Sequence, residues 1–167
     1  DLEYLNLSNI GISDIQAISQ LSKLQYLNLN RSSFKLEPAK ASILSNNKEL
    51  KVLDLGSNGL TDIEFVAKLT KLEQLNLESN DLNNISALSN LSQLNKLDLS
   101  WNNIPDISPL LKLTNLEELN LYHNLIKEIA PLSESTNIQF LDLGRNKVED
   151  ISILANLTKL DDLDLSD

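Results

Sequence analysis

The sequence contains no cysteine and no methionine, and it has one histidine, four glycines and few aromatic residues (three Phe, three Tyr, one Trp). Without cysteine, the chain forms no disulfide, no thiolate metal site and no thiol redox centre. One histidine rules out any metal site built from two of them. No apolar run approaches the roughly 20 residues that span a bilayer, so we expect no membrane insertion.

Basic residues are also scarce, with 14 against 24 acidic ones and a net charge of −10 over 167 residues. Nucleic acids and anionic membranes are bound by clustered positive charge, so we expect no nucleic-acid partner. The length suits one domain, taken as residues 1–167. A chain that starts without methionine indicates a fragment of a longer protein, with any targeting signal outside it.

Leucine recurs with a period of 22 residues in the pattern L-x-x-L-x-L. The interval from Leu24 to Leu50 is longer, at 26 residues. The L-x-L unit predicts a short strand, and stacked copies of such strands share one core. Repeat positions below are counted from the first residue of each unit: Leu2, Leu24, Leu50, Leu72, Leu94, Leu116, Ile138 and, for a partial repeat, Leu160.

Two polar positions recur within the repeats. Position 9 is asparagine in five of them, and we expect its amide to hydrogen-bond the backbone where the chain leaves the strand. Position 13 is a short acceptor before an aliphatic residue, which predicts the N-cap of a helical turn and not a catalytic carboxylate. The asparagines are Asn58, Asn80, Asn102, Asn124 and Asn146, and the short acceptors are Asp14, Asp62, Asn84, Asp106 and Asp150.

The pattern resembles a leucine-rich repeat protein. Its 22-residue unit, with Asp-Ile in the second half as in residues 102–110, is similar to the internalin-type repeats of bacterial surface proteins. The resemblance implies an α/β solenoid, a right-handed superhelix with a parallel sheet on the concave face and short 3₁₀ or helical turns on the convex face. It also implies that binding residues lie on the concave face.

Two repeats depart from the pattern. The long repeat from Leu24 has Ser32 at position 9 and an insertion in which Pro38 precedes good helix formers, which predicts an α-helix within residues 35–47 on the outer face. It resembles the helical repeats of ribonuclease-inhibitor-like solenoids, and it is either an adjustment of curvature or a recognition element. The first repeat has Ile10 at position 9, as terminal repeats often differ.

We find no catalytic constellation. His123 has no second histidine or cysteine to work with, G-x-S-x-G is absent, and four glycines supply no phosphate-binding loop. The sequence therefore predicts no enzyme activity, no cofactor and no metal site. Five N-x-S/T sequons follow from the repeat's own Asn-Leu-Ser and Asn-Leu-Thr usage.

The candidate binding residues lie at positions 2, 3, 5, 7 and 8, which the repeat places on the concave face. Aromatic residues and arginine are enriched in interface hot spots, and neighbouring strands lie about 4.8 Å apart, so we expect one patch about 10 Å across in repeats 5 to 7. The alternative is that the tryptophan shields the turn below it. The patch residues are Trp101, Tyr122, His123 and Arg145, with Phe140 beside them, and Tyr4 and Tyr26 form a smaller second surface.

Acidic residues concentrate on the same face, with 12 acidic and 4 basic side chains at the five positions. Position 5 forms a stripe of Asn and Asp that either satisfies the sheet surface or contacts a partner. We take Asp98, Glu118 and Asp142 as candidate contacts. This charge predicts a basic partner whose association slows with added salt.

The sequence thus predicts a protein-recognition module, from its internalin resemblance a bacterial surface or secreted protein. The alternatives are an intracellular regulatory or scaffold protein of the phosphatase-regulator kind, and the targeting domain of a larger multidomain protein. If His123 takes part in binding, affinity should change between about pH 5 and 7.5. The oligomeric state is not predicted.

Overall fold

The computed structural model describes residues 1–12, 14–32 and 38–167. In these residues each repeat contributes one three-residue strand, and the eight strands pair in parallel, in chain order, in one sheet. The register joins equal repeat positions, for example Leu97 with Leu119. The strands are β1 Tyr4–Asn6, β2 Tyr26–Asn28, β3 Val52–Asp54, β4 Gln74–Asn76, β5 Lys96–Asp98, β6 Glu118–Asn120, β7 Phe140–Asp142 and β8 Asp162–Asp164.

The convex side is built from 3₁₀ helices that follow the first seven strands and stack on one another. The predicted solenoid is therefore confirmed, with a parallel sheet on one face and short turns on the other. The 3₁₀ helices span Gln16–Gln20, Ser42–Asn46, Glu64–Lys68, Ser86–Leu88, Ser108–Leu110, Ala130–Leu132 and Ser152–Asn156.

The α-helix predicted within residues 35–47 is much shorter than expected. It is the single α-helical turn α1, Pro38–Ala41, which runs directly into the 3₁₀ helix Ser42–Asn46. Residues 33–37, including the first part of the predicted segment, lie outside the described residues. The repeat exceeds 22 residues by four, and four residues supply one α-helical turn before the 3₁₀ helix that every repeat needs to stack on its neighbours.

The core is a column of aliphatic side chains between the sheet and the 3₁₀ helices. In the third repeat Leu50, Leu53, Leu55 and Leu60 are fully buried. Side chains at the two ends are more exposed, with Leu2 at 44% and Leu165 at 43%. Each strand alone has nothing to bury its leucines against, so the stacking of repeats supplies the hydrophobic stabilisation.

The asparagine ladder at position 9 forms as predicted. Asn80 is 6% exposed. Its amide nitrogen donates to the carbonyls of Leu55, Leu77 and Glu78 over 2.9–3.2 Å. Its amide oxygen accepts from the backbone N–H groups of Asn58 and Leu60. One side chain thereby satisfies five backbone groups and ties its repeat to the preceding one.

The prediction that position 13 is the N-cap is wrong by one residue. The backbone places the cap at the following isoleucine, such as Ile63, since the first residue of the 3₁₀ helix is Glu64. The acceptor still caps the turn from outside, because the Asp62 carboxylate accepts the Glu64 N–H at 2.6 Å. The bond joins residues two apart, which is the spacing of an Asx turn.

Position 20, counted back from the next repeat, is leucine in most repeats, for example Leu69 and Leu113, but it is Asn47 in the long repeat and Ser135 in the sixth. Both polar side chains are fully buried. The Asn47 amide nitrogen donates to the Ile18 and Leu21 carbonyls, so it ties the long repeat to the first convex turn. Within the described residues, the Ser135 hydroxyl and the Asn47 amide oxygen have no partner.

Candidate functional site

The concave face ends at a turn in which the residue at position 8 adopts a left-handed backbone conformation. Its φ lies between 51° and 57° in every repeat that continues beyond its strand. The N–H of this residue donates to the carbonyl at position 7 of the next repeat, as Trp101 donates to Tyr122 at 2.8 Å. The residues are Asn9, Arg31, Ser57, Ser79, Trp101, His123 and Arg145.

The position-5 stripe forms this turn. In all eight repeats the side-chain oxygen of position 5 accepts the backbone N–H of position 7, for example Asp98 from Ser100 at 2.9 Å and Asp142 from Gly144 at 2.9 Å. Asp98 also accepts from the Asn120 amide on the adjacent strand. The stripe therefore has a structural role, which leaves Asp98 and Asp142 half-buried and partly engaged.

The two C-terminal members of the stripe have opposite pKa shifts. Partial burial raises the pKa of Asp142; the Gly144 N–H opposes this, and the neighbouring carboxylates Asp164, Asp98 and Asp162 add to it. The hydroxyl and backbone N–H of Ser166 hold the pKa of Asp164 below its usual value. Proton binding on this surface thus depends on burial as well as on charge.

The predicted aromatic patch is a contact cluster in the structure. The Trp101 and His123 rings stack at 4.1 Å between centroids with 17° between their planes. Tyr122 meets Trp101 edge to face at 5.5 Å. The guanidinium carbon of Arg145 lies 5.8 Å from the Tyr122 ring centroid, within the range of a cation–π interaction. These four residues are called the Trp101 cluster below.

Two local features affect the Trp101 cluster: the space left by Gly144 and the left-handed backbone beneath the cluster. Gly144 gives Tyr122 room, since a Cβ at this position would lie 3.0 Å from Tyr122 Cδ2 and 2.8 Å from the Ser166 carbonyl oxygen. The left-handed backbone at positions 101, 123 and 145 costs about 1–2 kcal/mol at each non-glycine residue. Asparagine and glycine avoid most of this cost, so Trp, His and Arg are there in spite of the backbone.

Phe140 lies apart from the Trp101 cluster. It is half-buried in β7, in register between Glu118 and Asp162, and lines a shallow groove of about 200 Å³. Its ring makes no aromatic contact within the described residues. Glu118, beside it, forms an ion pair with Lys96. Phe140 therefore lies on the strand itself, and not at the turn that carries the Trp101 cluster.

The second predicted surface is a stacked tyrosine pair. The rings of Tyr4 and Tyr26 lie 4.2 Å apart with 12° between their planes, and Tyr4 is 58% exposed. The Tyr26 phenol has a raised pKa: a hydrogen bond with Asn28 lowers it, and partial burial and the Tyr4 phenol outweigh that effect. Tyr26 also borders a groove of about 240 Å³ floored by Val52.

Three features escaped the sequence analysis. One is the left-handed backbone at position 8, where Asn9 and His123 alone are of residue types enriched in that conformation. Another is the pairing of both concave lysines with acids on adjacent strands, Lys51 with Glu73 and Lys96 with Glu118. The third is the polar residues at position 20. Equal spacing of charges at position 2 or 3 in adjacent repeats was the available signal for the ion pairs.

The described residues contain no group of three His, Asp or Glu side chains placed to hold a metal ion. In the same residues, no helix is both long enough and apolar enough to cross a bilayer. The geometry offers instead an exposed aromatic cluster at the edge of a curved, hydrogen-bonded sheet. A curved parallel sheet of this kind is characteristic of repeat solenoids, which offer an extended concave surface.

Comparisons with known proteins also identify the chain as a repeat solenoid. The family model "Leucine Rich repeats (2 copies)" matches residues 48–93 and 92–134. The crystal structure of internalin C2 from Listeria monocytogenes is similar, with a TM-score of 0.94 and 33% identity over 99% of this chain and 71% of that one. Internalin InlF from the same organism gives a TM-score of 0.70 and 28% identity over 99% and 62%. No curated protein sequence matches the chain.

The chain belongs to the leucine-rich repeat family, in the internalin-like class of 22-residue repeats. Its fold is an interaction scaffold, and it forms a protein–protein interaction module. The chain spans 71% and 62% of the two internalin chains it matches.

Proposed function

We propose that the concave face binds a protein partner through the Trp101 cluster, with Tyr4 and Tyr26 as a smaller second contact. The observation that carries this proposal is the backbone at residues 101, 123 and 145. Three bulky residues occupy a left-handed turn there that asparagine or glycine would fill at lower cost. All seven turns share this backbone, so the signal is the choice of bulky side chains at three successive turns and not the strain itself.

The exposure of the cluster supports the same role. Trp101 is 44% exposed although it contacts both Tyr122 and His123. A tryptophan whose purpose was to shield the turn would bury more of its surface. Trp, Tyr and Arg are also the residues most enriched among interface hot spots. Asp98, Glu118, Asp142 and Phe140 are proposed as surrounding contacts of lower energy.

The proposed setting is the bacterial surface or the secreted fraction, by resemblance to the internalins. The test is to label intact bacterial cells expressing the whole gene with an antibody against residues 38–167. Labelling of intact cells or recovery from the medium supports this setting. Signal that appears after lysis alone supports the alternative, an intracellular regulatory scaffold. The same proposal includes two further points: the chain has no enzyme activity, and its partner has a basic surface.

The binding test compares two double variants of the same chain. Trp101→Ala with Tyr122→Ala removes the cluster, and Tyr4→Ala with Tyr26→Ala removes the other stacked pair on the same face. Proteins retained by the immobilised wild-type chain are identified, and their affinity is measured by calorimetry. Loss of two hot-spot side chains should weaken binding at least about 30-fold.

The Tyr4 and Tyr26 variant is expected to bind within about fivefold of wild type, in keeping with a smaller contact. Retention of the same proteins at unchanged affinity after removal of Trp101 and Tyr122 would contradict the site assignment. Matching circular dichroism spectra for both variants would show that the fold is intact in the comparison.

A further inference from the structure

Charge on the concave face is divided across the strands as well as along the solenoid. We call positions 2 and 3 the entry edge, where the chain enters each strand, and positions 7 and 8 the exit edge. The entry edge carries six acidic and two basic residues, and the exit edge carries two of each. The remaining acids of this face are the position-5 aspartates, each of which accepts a backbone N–H from position 7. The negative charge therefore belongs to the strand starts and centres, and the exit edge is neutral.

The basic residues of the two edges are in different states. Both entry-edge lysines, Lys51 and Lys96, have an acidic partner on an adjacent strand. On the exit edge, Arg145 has no ion pair within the described residues, and its guanidinium is held over the Tyr122 ring. A positioned, unpaired guanidinium beside partly exposed aromatic rings is suited to a carboxylate next to an apolar side chain, because arginine binds carboxylates through a rigid pair of donors.

The entry edge of the same repeats has the opposite character. Glu117, Asp161 and Asp162 are exposed and have no ion pair within the described residues, whereas Glu118 is paired with Lys96. Residues at positions 3 and 8 of one repeat are separated by about 17 Å at most, at roughly 3.3 Å per residue. An extended segment of about five residues reaches from one edge to the other.

We propose that the partner's contact segment is bipolar. An apolar side chain with an adjacent carboxylate occupies the Trp101 cluster against Arg145, and lysine or arginine side chains lie over Glu117, Asp161 and Asp162. This inference rests on the proposed protein-recognition function and refines it. A uniformly basic partner would place a like charge on Arg145.

The test uses two fluorescein-labelled synthetic peptides. The first has a Phe-Glu-Leu-Glu block, a Gly-Ser-Gly-Ser spacer and a block of four lysines; the spacer extends to about 13 Å. The second has Gln in place of both Glu and is therefore more basic overall. Binding to residues 1–167 is measured by fluorescence anisotropy, and the emission of Trp101, the one tryptophan in the chain, reports whether the cluster is occupied.

The bipolar peptide should bind about tenfold more tightly than the Gln peptide, a typical difference for one charge-assisted contact. Arg145→Gln should reduce this preference to less than about twofold, and Arg145→Lys should restore part of it. The matched control is Arg31→Gln, since Arg31 has the same repeat position and left-handed backbone but lies outside the cluster. It should leave the tenfold preference unchanged.

Three results would overturn the bipolar assignment: equal or tighter binding of the Gln peptide, no detectable binding of either peptide, or a preference that survives Arg145→Gln. Unchanged thermal melting of Arg145→Gln excludes misfolding as the cause of a loss. These outcomes leave the proposed function to its own test, because retention of natural partners and its loss with Trp101 and Tyr122 do not depend on the peptides.

Discussion

Trp101 and Asn102 are neighbours in the chain but belong to two columns of stacked residues, position 8 and position 9, with different environments. Asn102 is 5% exposed and donates to three carbonyls. Trp101 is 44% exposed, and its ring contacts the Tyr122 and His123 rings of the next repeat. Position 9 is asparagine in five repeats because the amide supplies donors and an acceptor to the buried turn. Position 8 has an equally uniform backbone, but its side chains vary from Ser to Trp.

This difference lets the repeat keep its folding role at position 9 apart from the recognition role proposed for position 8. At position 9 the side chain replaces backbone hydrogen bonds that the turn cannot make, so a change leaves several buried groups unsatisfied. At position 8 the backbone N–H alone serves the sheet, and the side chain is free to change. Predictions that change one column and not the other test this separation.

The largest effect is expected for Asn80→Ala in the ladder. It removes five hydrogen bonds and leaves buried carbonyl and N–H groups unpaired, at a cost of about 3–4 kcal/mol in the free energy of unfolding. Urea denaturation followed by circular dichroism measures it. Asn83→Ala is the matched control, as Asn83 is exposed, and it should change stability by less than about 0.5 kcal/mol. A loss of similar size in both would contradict the role of the ladder.

The two polar residues at position 20 should respond with opposite signs. Asn47→Ala breaks bonds to the Ile18 and Leu21 carbonyls and should cost about 2 kcal/mol. Ser135→Ala removes a buried hydroxyl that has no partner within the described residues, so it should stabilise the chain by about 1 kcal/mol. Both values come from urea denaturation. Loss of stability in Ser135→Ala would show that the hydroxyl is satisfied.

A smaller gain is expected at the strained column. Ser79→Asn places a residue that tolerates a left-handed backbone at φ 54°, and should add about 0.5–1 kcal/mol of stability. Ser89→Asn makes the same change at φ −57° and should add nothing. Thermal melting of the two variants separates the backbone effect from the effect of asparagine itself. Equal shifts would show that position 8 is not strained.

The smallest effect depends on pH. The pKa of Asp142 is raised on folding, so its favourable contribution is present below the unfolded pKa and is lost as pH rises through the folded one. Asp142→Asn should therefore raise stability at neutral pH, by at most about 1 kcal/mol, and have little effect near pH 3.

Asp164→Asn provides the opposite case. The pKa of Asp164 is lowered, so its contribution is present above the unfolded pKa and is lost as pH falls through the folded one. This variant should lose stability at neutral pH. Both are measured by urea denaturation across the acid range, and a common sign for the two variants at neutral pH would contradict the assigned causes.

Much of the fold could be predicted from leucine and asparagine spacing, because strand alternation and the ladder both act through local sequence. The position of the cap was wrong by one residue, since an Asp side chain accepts the N–H two residues on both as the cap itself and as the residue before the cap. The length of the helix at Pro38–Ala41 was overestimated, because helix propensity does not include the limit set by stacking on neighbouring repeats.

The candidate site could be predicted in part. The common register placed Trp101, Tyr122, His123 and Arg145 together, and the structure brings them into contact. The left-handed turn beneath them could not be predicted, because Ser, Trp and Arg, which occupy most of these positions, have no preference for that conformation. Phe140 was grouped with the cluster because aromatic residues are rare in this chain. It lies apart because position 3 is several residues along the strand from positions 7 and 8, and rarity carries no information about that distance.

The most direct test of the separation between the two columns is the unfolding free energy of the Trp101→Ala, Tyr122→Ala double variant, measured by urea denaturation with circular dichroism. If the cluster serves recognition, the loss is about 1–2 kcal/mol, the value of exposed aromatic contacts, with an unchanged denaturant slope. A loss of about 4 kcal/mol, as large as that of Asn80→Ala, would show that the cluster shields the core and would contradict the account.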